Sequence, residues 1–254
     1  MVRSILLELR DDFQVAAGFL TRIPAGAVDK PDIARCLRVF PAIGALIGVA
    51  TGLVYLGLAN AGVPLPAAGA IAFLASAMLT GALHEDGLAD MADGLGGYTR
   101  ERRLEIMRDS RIGTFGALAL VFSAIARVTA LAALPLPMAI PALAACGALG
   151  RMSPAAISRW TPQARRDGLA SSAGRPELHV VVSATIAALV IAAVCLPKTW
   201  FVAAVGMAIV SALAVRWLAM RQLGGYTGDV LGCAEQVAEM ALLLLFAAMA
   251  GAAA

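Results

Sequence analysis

Leu65 to His84 reads LPAAGAIAFLASAMLTGALH, and Glu85 to Gly97, which follows without a break, reads EDGLADMADGLGG. A helix needs roughly 20 apolar residues to cross about 30 Å of hydrocarbon. The first stretch therefore predicts a membrane span, and it delivers an acidic segment to the membrane boundary. The composition agrees: 254 residues, 60% hydrophobic and 15% charged, with a mean hydropathy of +0.82, are too apolar for a soluble domain of this size.

Further apolar runs near 41–60, 113–134, 137–156, 178–197, 200–220 and 230–253 bring the expected spans to seven. The predicted fold is all-α, a polytopic membrane helix bundle forming one integral domain over 1–254, with an amphipathic segment at 1–40 and the bundle at 41–254. Ile5, Leu6, Leu9, Phe13, Ala16, Ala17 and Leu20 follow helical spacing, so residues 3–20 read as an amphipathic helix on the membrane surface. Glu8, Arg10, Asp11 and Asp12 interrupt it before a signal-peptide core forms, and Thr21-Arg22-Ile23-Pro24 ends it.

The twenty basic residues sit in a few short segments. Arg3, Arg10, Arg22, Lys30, Arg35 and Arg38 precede the first span. Arg100, Arg102, Arg103, Arg108 and Arg111 fill the second connection, and Arg159, Arg165, Arg166 and Arg175 the fourth. Asn60 to Pro64 and Pro135 to Pro137 carry none. Positive charge staying inside places the N-terminus in the cytoplasm and the C-terminus outside. Lipid is thus an expected partner and nucleic acid is not. Cys36, Cys146, Cys195 and Cys233 have no paired spacing and read as packing residues. Gly44, Gly48 and Gly52 have the small-xxx-small spacing of close helix contact.

Asp86, Asp90 and Asp93 stand at i, i+4 and i+7, within a helical stripe about 60° wide. At about 6 Å and an effective dielectric of about 20, each like-charge pair costs about 2–3 kcal/mol. Three carboxylates on one face call for a hard divalent cation, and their spacing excludes an EF-hand loop. Gly87 and Gly94 each follow an Asp, where a missing side chain lets a phosphorylated ligand approach the backbone. His84 lies about 160° round the helix from the stripe.

Two glycine-rich helix starts are predicted on the same membrane side. Ile106 to Gly116 combines Arg108, Asp109 and Arg111 with Gly113, and Gly224 to Gly232 combines Gly225 and Thr227 with Asp229. Backbone N–H groups at a helix start suit phosphate, and arginines bind it in bidentate fashion. Leu95-Gly96-Gly97-Tyr98-Thr99 recurs as Leu223-Gly224-Gly225-Tyr226-Thr227, either by coincidence or as two halves of one ligand cradle. Arg127, Arg151, Glu235 and Glu239 fall inside predicted spans, where charge is expensive. They read either as mutually neutralising or as ligand-binding, with Glu235 also a candidate metal ligand.

Taken in order, several blocks resemble the cobalamin synthase family, the adenosylcobinamide-GDP ribazoletransferases. They are Phe40-Pro41-Ala42-Ile43-Gly44, His84 to Asp90 with Asp93-Gly94, Met107 to Gly116, Ala164-Arg165 with Gly168-Leu169, and Gly224 to Asp229. Glu85, Ala82 and Cys233 depart from the family pattern, which commonly has an apolar residue, a glycine and an alanine there. The resemblance implies joining adenosylcobinamide-GDP to α-ribazole or its 5′-phosphate with release of GMP and with Mg²⁺ as cofactor. The partners are then these two substrates, with a homo-oligomer or a complex of nucleotide-loop enzymes also open.

On the residue reading, Asp86, Asp90 and Asp93, with Asp109, Asp229 or Glu235, are the metal ligands. Arg108, Arg111 and Arg165, with Gly113, Gly225 and Thr227, bind phosphate, and Asp93 or His84 is the base. Two rivals stand beside this. A CDP-alcohol phosphotransferase has a similar acidic helix, but its Asp-Gly-x-x-Ala-Arg opening is unmet because Met91 follows Asp90. A secondary transporter would use Arg127, Glu235 and Glu239 as coupling groups, and would leave the aspartate stripe dispensable.

Overall fold

The computed structural model describes residues 2–26, 28, 29, 31–165 and 173–252, the side chains from Leu6 onward. Lys30, Arg166 and the Gly168-Leu169 pair lie outside the described residues. Among those described, the chain is helical with no strand. The helices are α1 (Val2–Leu20), α2 (Ile33–Cys36), α3 (Phe40–Asn60), α4 (Leu65–Thr80), α5 (Leu83–Gly94), α6 (Arg100–Ile106), α7 (Thr114–Ala132), α8 (Ala139–Gly150), α9 (Ser153–Trp160), α10 (Leu178–Cys195), α11 (Lys198–Leu223) and α12 (Gly228–Gly251), with 3₁₀ turns at Leu37–Val39 and Leu136–Met138.

Among the described residues, six helical stretches are long and apolar enough to cross a membrane: Ile33–Asn60, Thr114–Ala132, Leu136–Trp160, Leu178–Cys195, Lys198–Leu223 and Gly228–Gly251. The seventh is a broken one. Helix α4 ends at Thr80 rather than at residue 84, and α5 leaves it at 94°. Gly81 and Ala82 make the break, with φ of +68° and +56°. A left-handed alanine is costly, which gives a backbone reason for the glycine that the family pattern has at this position. A second break separates α8 from α9 inside the predicted 137–156 span. Arg151 sits at that break, its backbone N–H reaching the Gly147 carbonyl at 3.4 Å.

The small-residue spacing in α3 serves packing. A Cβ on Gly44 would strike the Gly147 carbonyl, one on Gly48 the Leu143 carbonyl, and one on Gly52 the Ile140 side chain at 2.8 Å. With those atoms missing, α3 and α8 touch backbone to backbone. Tyr55, Leu131, Leu149, Leu242 and Phe246 fill the core beside this seam. Outward-facing Leu118, Phe122, Ile125, Val194 and Trp217 are more than half exposed, as lipid-facing residues must be in a bundle taken without its bilayer.

Helix α1 is tied down by a residue that the sequence presents as an interruption. Asp12 is fully buried and pairs with Arg35 at 2.9 Å and with Arg38. Ala16 and Leu20 are buried on the same side, while Leu6, Leu7 and Phe13 remain exposed.

Candidate active site

Helix α5 carries the acidic stripe, and it lies against the first turns of α12. A Cβ on Gly87 would stand 2.7 Å from the Asp229 carbonyl and 3.2 Å from the Gly232 Cα, and one on Gly232 would stand 3.3 Å from the His84 Cα. The missing side chains thus let two helices meet rather than admitting a ligand to the backbone. Gly94 likewise makes room for the Met107 side chain, 2.7 Å from where its Cβ would be. The crossing brings Asp229 beside the stripe. Burial, with the carboxylates of Asp86, Asp229 and Asp93 around it, pushes the Asp90 carboxyl up to about 7. The Arg165 guanidinium stands 3.4 Å from Asp229 Oδ2, and the Thr227 hydroxyl lies 3.1 Å from the same oxygen. Asp86 is exposed and Asp90 half-buried.

Asp93 has a different task. Its carboxylate accepts the backbone N–H of Gly113 at 2.7 Å and of Gly116 at 2.8 Å. It therefore occupies the position at the start of α7 that the sequence offered to a phosphate, and the Gly113 N–H is already used. Any Cβ on Gly113 or Gly116 would collide with this carboxylate. Two residues before Gly113, Arg111 forks onto Asp109, with Nη2 to Oδ2 at 2.6 Å. That pairing holds the Asp109 carboxyl down to about 2. Asp109 is thus bound up in an exposed ion pair, while Arg108 lines the cleft beside Asp90.

Gly225 also serves the fold. A Cβ there would meet the Pro162 carbonyl, because residues 162–164 pair with Tyr226 through Ala164 N–H to Tyr226 O and Tyr226 N–H to Pro162 O, both 2.9 Å. This short pairing is what sets Arg165 beside Asp229. Thr227 caps α12 by accepting the Val230 N–H at 3.3 Å. Thr99, its counterpart in the repeated pentapeptide, caps α6 by accepting the Arg102 N–H at 3.2 Å. The two copies share this helix-starting role but do not form a symmetric cradle, since Tyr98 is 97% exposed and Tyr226 3%. Arg100 bridges them, bonding the Leu223 and Ala164 carbonyls at 2.6 Å each.

The intramembrane charges neutralise one another. Arg151 pairs with Glu235 at 2.7 Å and Glu239 at 2.9 Å, and Arg127 with Glu85 at 3.4 Å and Glu239 at 3.7 Å. Phe73 lies under Arg127 at 4.8 Å, and Gln236 donates to Glu85 at 3.2 Å. Glu235 is fully buried in this network, on the inner side of α12, apart from the acid face. His84 Nδ1 stands 3.8 Å from Glu235 Oε2. Sequence reasoning missed Glu85 and Gln236 as members. The signal was there: Glu85 is an acid where an apolar residue is common.

Asp86 stands in the wall of two cavities. One, of about 290 Å³, is lined by Phe19, Leu37 and Phe40 on one side and by His84, Asp86, Arg165 and Thr227 on the other. The second, of about 410 Å³, is lined by Asp86, Asp90 and Asp93 with Arg108, Ser110 and Arg111. Among the described residues, no three His, Cys, Asp or Glu side chains stand close enough as placed to ligate one ion.

The chain is similar to named proteins along nearly its whole length. It is 42% identical over 254 residues to the adenosylcobinamide-GDP ribazoletransferase of Bradyrhizobium diazoefficiens, covering 97% of this chain and 95% of that protein. It is 42% identical to that of Azorhizobium caulinodans, with 92% and 94% covered, and 39% identical to that of Brucella ovis, with 89% and 92% covered. No solved structure matches the chain. The model of the cobalamin-5-phosphate synthase family spans residues 12–247, from the buried Asp12 anchor through the acid face to the far end of α12, and the chain belongs to that family.

Proposed function

We propose that the protein transfers the cobinamide phosphate of adenosylcobinamide-GDP to a ribose hydroxyl of α-ribazole or its 5′-phosphate, releasing GMP, at the cytoplasmic face of a bacterial inner membrane. The observation that carries this reading is the meeting of Asp86 and Asp90 with Asp229 and Arg165 at the mouth between two cavities, in a chain of this family. The basic loops at 100–111 and 159–165 flank that mouth, which supports the cytoplasmic orientation.

Mg²⁺ fits this donor set by charge. Burial first, and then the neighbouring Asp86 and Asp229 carboxylates, raise Asp90, and hard oxygen ligands of this kind suit Mg²⁺. One or two of these carboxylates, together with the substrate's phosphates, would hold it. When bound, it supplies charge neutralisation at the pyrophosphate. Asp93, Asp109 and Glu235 are engaged elsewhere in the fold, so the ligand role concentrates on the other three.

Arg165 lines one cavity and Arg108 the other, and they would orient the phosphoryl oxygens. In the reaction, the ribose O–P bond forms as the P–O bond to GMP breaks. GMP leaves with the bond's electron pair, and the hydroxyl proton passes to a carboxylate of the acid face. The intramembrane arginines are charge-paired with glutamates, an arrangement suited to a static scaffold rather than to transport coupling.

The test is direct. Purified protein in lipid, given adenosylcobinamide-GDP, α-ribazole and Mg²⁺, should release GMP. Asp86→Ala and Asp90→Ala should each lower that rate by at least 10²-fold while leaving size-exclusion behaviour unchanged, as expected for charge-stabilising groups. Undiminished turnover in excess chelator refutes the metal, and undiminished turnover in both variants refutes the site.

A further inference from the structure

The two cavities differ in chemistry, and that difference sorts the substrates. The smaller one has an apolar wall drawn from α1, α2 and the turn into α3. Phe19 and Phe40 stack there with centroids 5.8 Å apart and planes at 28°, and Ile33 and Leu37 extend the surface. Its opposite wall is polar. Arg151 keeps its Nε, and Arg165 its Nη1, buried without a hydrogen-bond partner. Arg151 is only 3% exposed, so this donor has no access to bulk water. The second cavity has apolar residues too, among them Met107, Ile112 and Leu120, but no aromatic ring, and Arg108, Ser110 and Arg111 line it together with the acids.

We propose that the smaller cavity is the acceptor site and binds an aromatic nucleoside whose bicyclic base bears no exocyclic polar groups. This rests on the transferase reading above. The base would lie on the Phe19–Leu37–Phe40 wall, and the ribose or its 5′-phosphate would take the orphaned guanidinium N–H groups of Arg151 and Arg165. Three observations carry the assignment. A volume of about 290 Å³ suits a nucleoside but not a corrin macrocycle. A guanine placed on the apolar wall would bury its amide and amine unpaired, whereas a dimethylbenzimidazole has neither. Finally, entering and leaving groups must lie on opposite sides of phosphorus in a displacement, and Asp86 separates this cavity from the arginine-lined one. The guanosine diphosphate end of the donor then belongs to the second cavity. Leu37 is the base-selecting residue, closing the apolar wall while 8% exposed.

The experiment measures α-ribazole binding to the lipid-reconstituted protein without donor, by equilibrium dialysis, together with the KM of each substrate. Leu37→Trp and Ile33→Trp, which fill the cavity from two elements, should weaken α-ribazole binding and raise its KM at least tenfold, leaving the donor KM within twofold. Arg108→Ala should do the reverse. Wild-type protein should bind α-ribazole at least tenfold more tightly than α-adenosine, whose base carries an amine. Running α-ribazole 5′-phosphate alongside distinguishes ribose from phosphate as the group on Arg165, since only the phosphate form should lose more affinity in Arg165→Ala. An unchanged α-ribazole KM in both tryptophan variants, or a donor KM that rises instead, overturns the assignment. So does equal binding of the two nucleosides by the wild type, a readout that holds even if both variants misfold. Failure to release GMP while α-ribazole still binds with this selectivity refutes the transferase reading and leaves the cavity assignment standing.

Discussion

Asp90 is an acid whose charge the fold accommodates poorly. Its carboxyl titrates near 7, raised from the usual carboxylate range first by burial and then by Asp86, Asp229 and Asp93. In an unfolded chain it would titrate near 3.8. Between those values the folded state binds the extra proton, so stability without metal falls as pH rises from about 4 to about 7 and then levels. Thermal unfolding in detergent with chelator should follow this slope. Asp90→Asn should flatten it, and Mg²⁺ at pH 8 should raise the wild-type midpoint more than that of the variant. An equal pH slope in the two proteins would exclude Asp90 as the source. By the same proton count, Mg²⁺ held there as proposed would compete with protons at this carboxylate, so apparent Mg²⁺ affinity in the GMP assay should drop as pH falls through 7.

At the scale of helices, position matters more than composition. The 94° turn at Gly81-Ala82 and the glycine contact between Gly87 and Gly232 together set the acid face against α12. Gly87→Ala forces a Cβ to within 2.7 Å of a backbone carbonyl, and overpacking of this kind costs about 1–3 kcal/mol. It should lower both the unfolding midpoint and the GMP rate, whereas Gly57→Ala, with nothing within 4 Å, should leave both near wild type. Hydropathy and charge periodicity made the spans, the acid stripe and the α3 packing glycines legible in the sequence. What they do not carry is which partner a small or acidic residue meets. Gly87, Gly113 and Gly225 read as openings for a ligand, yet each is filled by another part of the chain, because a missing side chain marks close approach without saying by what. Asp93 shares the stripe's spacing with Asp90 and differs only in the helix start it caps, a tertiary fact.

Across the whole molecule, five buried or half-buried charges link α5, α7, the break after α8, and α12. Arg151, Glu235 and Glu239 form the inner part, and Arg127 with Glu85 continues it toward the acid face. Removing one partner of such a network strands the other, at about 3–5 kcal/mol. Glu235→Ala should therefore unfold at markedly lower temperature than wild type, and the double change Arg151→Met with Glu235→Leu should recover much of the loss. Equal midpoints for wild type and Glu235→Ala would show that the pair contributes no net stability. The broken span has a further consequence, in the lipid. Helix α4 has 16 residues, a rise of about 24 Å, against a hydrocarbon core of about 30 Å. A short segment of this kind is accommodated by local thinning of the bilayer, so the membrane should dip where α4 ends. Such a dip would draw headgroups and water in toward α5, and the corrinoid of the proposed reaction could then reach carboxylates rooted in a membrane bundle without leaving the interface.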